Sequence, residues 1–159
     1  MNSELVNNVK NILSKNSIIP TILLKGEKEY IFDCKYTEHK LFDKSTVVYE
    51  GLFQKKNVIV KIYLDPKQDI HRFQREMYIY NQCQSQYSKW NTVLPQLYAS
   101  DILPLPYLII EKVEGKTLGS WCNIEILDTK LIASIIHTIV DLHSHTNVPK
   151  KYARSSFYN

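Results

Sequence analysis

A single lysine within an otherwise apolar segment is the first feature of this sequence that could do chemistry. Lys61 lies in residues 58–63, VIVKIY, where the other five side chains are aliphatic or aromatic. An ammonium group left unpaired among such side chains is strongly unfavourable. A carboxylate, an anionic ligand or a face of the sheet open to water must therefore offset that cost.

Glu76 is the candidate counter-charge, because the segment around it has helical periodicity. Asp65 and Pro66 suit the N-cap and the first position of a helix over residues 66–84. Its apolar side chains recur every three or four residues: Ile70, Phe73, Met77 and Tyr80. Glu76 lies at the margin of this stripe, from which it could reach Lys61 and orient it toward a phosphate. Spacing alone also allows Lys61 to extend to the sheet edge, with Glu76 as a solvated helix residue.

The other elements follow from the spacing of apolar residues and from turn signals. We expect a short amphipathic helix over residues 3–16 that Pro20 ends, and a last helix over residues 128–143. The predicted strands lie at residues 28–36, 45–53, 57–64, 97–101 and 106–113, with QKKN forming a hairpin turn between the second and third. This order favours an α+β fold with a five-stranded, mostly antiparallel sheet and one helix packed on it.

Composition and charge exclude several classes of protein. The net charge of +4 over 159 residues is short of the clustered basic face of a nucleic-acid binder, so we expect no nucleic-acid partner. Three widely spaced cysteines argue against a disulfide framework or a zinc site and fit a reducing compartment. The most apolar helical run, residues 131–142, is too short to span a bilayer. We therefore expect a soluble, cytoplasmic protein without a membrane partner.

Several segments in this order resemble the protein-kinase-like superfamily, over roughly residues 36–146. VIVKIY is similar to the V-A-I-K strand of that family, and RFQREMYIY places Glu76 at the glutamate of its αC helix. LIIEKVEGKTL resembles the hinge, and IIHTIVDLHS resembles the long helix that opens the C-terminal lobe. STVVYEG resembles the second half of the hairpin that covers the nucleotide.

The resemblance implies a kinase-like N-lobe over residues 26–113. A helical or extended segment, residues 1–25, would precede it, and residues 114–159 would form a connector and the first helices of a C-lobe. The implied ligand is ATP with magnesium, in a serine/threonine kinase family. Lys61 would bind the α- and β-phosphates and Glu76 would hold Lys61, as the catalytic pair.

The resemblance also implies which residues surround the adenine base. The resemblance places Val48 over the base, Ile59 at the alanine of V-A-I-K, and Ile110 at the gatekeeper position. The backbones of Glu111 and Val113 would hydrogen-bond adenine.

The sequence departs from the kinase pattern in two regions. Residues 41–46, LFDKST, where the glycine-rich loop is expected, contain no glycine, and Ile59 is bulkier than the alanine it replaces. Residues 149–156, PKKYARSS, replace H-R-D-x-x-x-x-N, and no D-F-G follows Lys61. The catalytic base and the magnesium ligands are therefore missing, and we expect this chain alone to transfer no phosphate at a useful rate.

Three hypotheses about function remain open from the sequence. The chain could be the front part of a longer ATP-binding kinase, or a non-catalytic pseudokinase-type module that regulates a partner. It could also be a fragment of an aminoglycoside-type small-molecule phosphotransferase. The isoleucine stripe of the 128–143 helix needs a cover, which could be the rest of a lobe, another protein or a second copy of the chain.

Overall fold

The computed structural model describes residues 3–37, 45–86, 94–115 and 129–145, and divides into two compact units, residues 1–112 and 113–159. Helices α1 (Ser3–Lys15) and α2 (Pro66–Gln86) belong to the first unit, and α3 (Thr129–His145) belongs to the second. The first unit also contains strands β1 (Ile19–Lys25), β2 (Lys35–Tyr36), β3 (Thr46–Phe53), β4 (Lys56–Tyr63), β5 (Leu97–Asp101) and β6 (Tyr107–Glu111). The predicted α+β fold is confirmed.

The strands form one mixed sheet in the order β2-β1-β3-β4-β6-β5, with β1 and β2 parallel and every other pair antiparallel. The prediction of five strands was wrong at its first strand. Residues 28–36 form a 3₁₀ turn at Lys28–Tyr30 and only the two-residue strand β2, whereas β1 lies earlier in the chain. Pro20 belongs to β1, where a register shift next to it relaxes the pairing that a proline cannot make.

Helix α1 covers one face of the sheet and closes the main core. Val9, Ile12 and Leu13 of this helix are buried against side chains of four strands. The strand residues of this core include Leu23, Val47, Tyr49, Val58, Val60, Ile62, Tyr107 and Ile109. Within the core the Tyr49 hydroxyl donates a hydrogen bond to the Tyr30 carbonyl at 2.7 Å. The first helix is therefore part of the sheet unit.

Helix α2 packs on the opposite face, as its periodicity predicted. Phe73 is buried with Tyr63 and Leu108, and the partly buried residues around them include Ile70, Met77 and Tyr80. Asp65 caps the helix, because its Oδ1 accepts hydrogen bonds from the amides of Lys67 and Gln68 at 3.0 and 3.1 Å. The predicted helix and its N-cap are both confirmed.

A two-residue turn joins β3 to β4 and fixes the register of the central hairpin. Gln54 and Lys55 have φ angles of 50° and 66°, the positive values that a type I′ turn requires at both central positions. The Phe53–Lys56 pair closes the hairpin, and the pairing continues without a break to Thr46 and Tyr63. The predicted hairpin at QKKN is confirmed, and it sets which side chains share a face.

Helix α3 agrees with the helix predicted at residues 128–143 to within two residues at each end. Its apolar side chains are exposed, including Leu131, Ile132, Ile136, Ile139 and Val140. Within the described ranges, no helix combines the length and apolar character needed to cross a bilayer.

Candidate functional site

Lys61 and Glu76 form an ion pair on the α2 face of the sheet. Alternation along β4 directs Val58, Val60 and Ile62 into the α1 core, so Lys61 projects from the opposite face. The Lys61 Nζ donates a hydrogen bond to Glu76 Oε1, and the side chains remain 25% and 34% exposed. The carboxylate compensates the lysine charge, and water or a ligand can still reach both groups.

Tyr63 supports the same ammonium from within the strand. The Lys61 Nζ lies 4.9 Å from the centroid of the Tyr63 ring, a distance typical of a cation–π contact. The ring is fully buried and meets Phe73 edge to face at 5.9 Å between centroids. Burial, and then the negative charge of Glu76, raise the pKa of the Tyr63 hydroxyl well above its usual value. Lys61 is thus positioned by a carboxylate and by an aromatic ring.

The strand register places most of the predicted nucleotide residues on the Lys61 face. Lys61 pairs with Val48 of β3 and with Leu108 of β6, and Ile59 pairs with Ile110. Residues directly opposite each other in a sheet project to the same side, so these side chains form one surface. Val48, Ile59 and Ile110 are each half-buried. The structure therefore brings them together with the Lys61–Glu76 pair.

The two predicted hinge residues, Glu111 and Val113, lie in different units of the chain. Glu111 ends β6, where its amide donates to the Gln96 carbonyl at 2.8 Å and its carboxylate accepts from the Gln96 amide at 3.1 Å. Val113 begins the second unit and is 63% exposed. The structure therefore places Glu111 beside Gln96, the residue that precedes β5, whereas Val113 belongs to the other unit.

The glycine-free loop expected at residues 41–46 lies mostly outside the described part of the chain. Because β1 occupies residues 19–25, the connection from β1 to β3 runs over residues 26–45, and Thr46 already belongs to β3. This connection contains Gly26, with a φ of 144° that side-chain-bearing residues rarely adopt. Residues 41–44 lie outside the described part of the chain, as do PKKYARSS and most of the connector after Gly115.

Two cationic side chains near Lys61 were missed from the sequence. Arg72 donates to Asp69 Oδ1 at 3.0 Å and to the Ser45 hydroxyl at 3.1 Å. It lies four residues before Glu76, so helical spacing could have indicated it. Lys25 donates to the Thr46 hydroxyl at 2.6 Å. Its register depends on an irregularity in β1 that no local sequence signal announced.

No protein-family model matches the chain, and no significant match was found among curated proteins. Within the described ranges, no group of three or more histidine, cysteine, aspartate or glutamate side chains is placed to hold a metal ion.

Proposed function

We propose that the α2 face of the sheet binds the phosphates of ATP, as in a protein-kinase-like lobe of the serine/threonine type. The observation that carries this proposal is the Lys61–Glu76 pair, which joins the central strand β4 to helix α2. In protein kinases a strand lysine contacts the α- and β-phosphates and pairs with a helix glutamate. The antiparallel run from β1 to β5 supports the same interpretation.

The chemistry of Lys61 suits a phosphate ligand. An ammonium has three donors, and Glu76 is its hydrogen-bond acceptor in this structure. Partial burial strengthens the attraction to an anion, because fewer water molecules screen the charge. Glu76 and Tyr63 restrict the lysine side chain, so less conformational entropy is lost when a phosphate binds.

The adenine base of ATP would lie on the apolar part of the α2 face of the sheet. Val48, Ile59 and Ile110 offer aliphatic surface next to Lys61, and the backbones of Glu111 and Val113 are the adenine partners that the kinase resemblance implies. Magnesium enters the proposal with ATP, because the described residues offer no set of metal ligands. Phosphate transfer is not proposed for this chain.

The second candidate is a non-catalytic module that binds a protein and no nucleotide. The observation that favours this protein-binding module concerns the part of the sheet face where adenine would bind. Ile59 is packed between Glu50 and Ile110 in the strand register, and Lys112 donates to Glu50 Oε1 at 2.7 Å. A bulky side chain and an ion pair both reduce the room for adenine.

A titration with magnesium-ATP separates the two functions. We expect the melting temperature of the protein to rise with ATP concentration, since a ligand at 100 times its Kd stabilises the folded state by about 2.7 kcal/mol. Lys61→Ala should abolish that rise. Lys56→Ala is the matched control, because this lysine begins the same strand and contacts Tyr98 at the far end. An unchanged melting temperature in the unmodified protein at millimolar ATP would favour the protein-binding module.

A further inference from the structure

Lys25 reaches the Lys61 face because β1 is irregular. Strict alternation would place Lys25 on the same side as Leu23, which is buried with Tyr49 in the α1 core. The register shifts between Leu23 and Lys25, so Lys25 pairs with Val48. A β-bulge redirects the side chain that follows it, and here it turns a lysine onto the α2 face.

Lys25 and Lys61 flank Val48, and both side chains extend toward the start of β3. Lys25 and Lys61 are its register partners on either side. The Lys25 ammonium lies 2.6 Å from the Thr46 hydroxyl, and the Lys61 ammonium lies over the Tyr63 ring. Thr46 and Tyr63 are themselves paired across β3 and β4. Both ammonium groups therefore lie beside one residue pair, at the start of β3.

Two strand spacings, about 10 Å, separate the backbones of the two lysines. A chain of linked phosphates can contact ammonium groups from both sides of such a gap. The Thr46 hydroxyl accepts a hydrogen bond from the Lys25 ammonium and so helps to orient it. Its burial, at 2% exposure, fixes the position of that acceptor.

We propose that Lys25 is a second phosphate-binding residue, which contacts the phosphates of a nucleoside triphosphate beyond those that Lys61 holds. This inference rests on the proposed binding of ATP. In kinases the glycine-rich loop after the first strand offers backbone amides to the phosphates. In this chain the last residue of β1 offers an ammonium at the corresponding end of the sheet.

The test compares the dissociation constants of ATP and AMP, measured by calorimetry, in matched lysine variants. Lys25→Met should weaken ATP about tenfold, as expected for loss of a charge-assisted hydrogen bond, and should leave AMP within about twofold. Lys25→Arg should retain most of the preference for ATP. Lys28→Met is the control, because this exposed lysine lies three residues away in the adjoining turn.

Each outcome of this test is informative. A preference for ATP over AMP that is the same in Lys25→Met as in the unmodified protein overturns the role of Lys25 and leaves the proposed function intact. Absence of binding by the unmodified protein overturns both proposals. If Lys25→Met does not fold, Thr46→Val provides the second measurement. It removes the hydroxyl that orients Lys25, so a reduced preference for ATP supports the role and an unchanged preference contradicts it.

Discussion

The Lys61 ammonium lies over the ring of Tyr63, two residues further along the same strand, at 4.9 Å from the centroid. The same ring is fixed by Phe73 of α2, three residues before Glu76. Helix α2 therefore positions the Lys61 side chain in two ways: directly, through the Glu76 carboxylate, and indirectly, through the Tyr63 ring that Phe73 contacts. A shift of α2 along the sheet would change both contacts together.

Replacing Glu76 should weaken phosphate binding more than it weakens the fold. Glu76→Gln removes the charge that positions Lys61, and we expect ATP affinity to fall about tenfold. The pair is partly exposed, so the free energy of unfolding should fall by about 1 kcal/mol or less. Calorimetry and urea unfolding measure the two effects. Glu4→Gln, in the first turn of α1, is the control, and ATP affinity equal to that of the unmodified protein would contradict the positioning role.

Shortening Ile59 should strengthen adenine binding if this side chain crowds the base. Ile59→Ala enlarges the space between Glu50 and Ile110 on the proposed nucleotide face. We expect tighter binding of ATP and adenosine, with a stability cost of about 1 kcal/mol for a half-buried side chain. Ile59→Val should give an intermediate affinity in the same titration. Weaker adenosine binding in both variants would show that Ile59 contacts the base favourably.

Gly51 is needed where β1 and β3 approach each other. A Cβ at this position would lie 2.7 Å from the Ile19 carbonyl oxygen and 3.3 Å from the Cα of Pro20. Both obstacles are backbone atoms, so Gly51→Ala must separate the strands, and we expect a loss of about 1–3 kcal/mol. Urea unfolding followed by circular dichroism measures it. Stability within about 0.5 kcal/mol of the unmodified protein would mean that the strands separate readily there.

Truncating Ile12 tests whether α1 belongs to the sheet core. Ile12 is fully buried against the face opposite Lys61, so Ile12→Ala should lower the free energy of unfolding by about 2–5 kcal/mol. Leu5→Ala, at a half-buried position of the same helix, should cost less. Fluorescence of the sheet tyrosines can follow both unfolding transitions. A sheet whose unfolding is unaffected by Ile12→Ala would show that α1 is dispensable.

Buried tyrosines should make the fold sensitive to alkali. Burial, and then the charge of Glu29, raise the pKa of Tyr30 to about 12, from 10.0. Burial also raises the pKa values of Tyr49, Tyr63 and Tyr80. The folded state keeps these protons longer than the unfolded chain does. Their contribution to stability is therefore complete below pH 10 and falls as the pH rises above it; the part due to Tyr30 is lost between pH 10 and about 12.

Tyrosinate absorbance and circular dichroism, recorded during the same alkaline titration, test this behaviour. We expect a late group of tyrosines to ionise as the secondary structure is lost. Tyr30→Phe should have a shallower loss of stability over the same interval, because one raised pKa has been removed. Ionisation of every tyrosine near pH 10 with the fold intact would contradict the prediction.

Local signals account for what the sequence predicted correctly. The cap at Asp65, the periodicity of α2 and the hairpin turn at Gln54 each depend on neighbouring residues. They made an ion pair between Lys61 and Glu76 one of two open possibilities, and the resemblance to kinases favoured the pair that the structure contains. The roles of Lys61 and Glu76 in binding a nucleotide are still predictions.

Long-range pairing explains most of what the sequence did not reveal. Residues 28–36 are rich in strand-forming side chains, yet they turn, because β1 already occupies the edge of β3. The burial of α1 depends on strands far away in the sequence, and the position of Lys25 depends on a bulge. The apolar periodicity of residues 3–16 predicted a helix but not the strands that cover it, and no pattern within β1 indicated the bulge.

The placement of α1 also has a consequence for how the chain folds. Lys15 pairs with Asp101 at 3.1 Å, and the Tyr107 hydroxyl donates to the Asn16 side chain at 3.3 Å, across 86 and 91 residues of sequence. Contacts between such distant residues slow folding, because a long loop must close before they form. During synthesis, the apolar face of the first helix can be covered completely only after β6 has left the ribosome, because Tyr107 and Ile109 belong to the same core.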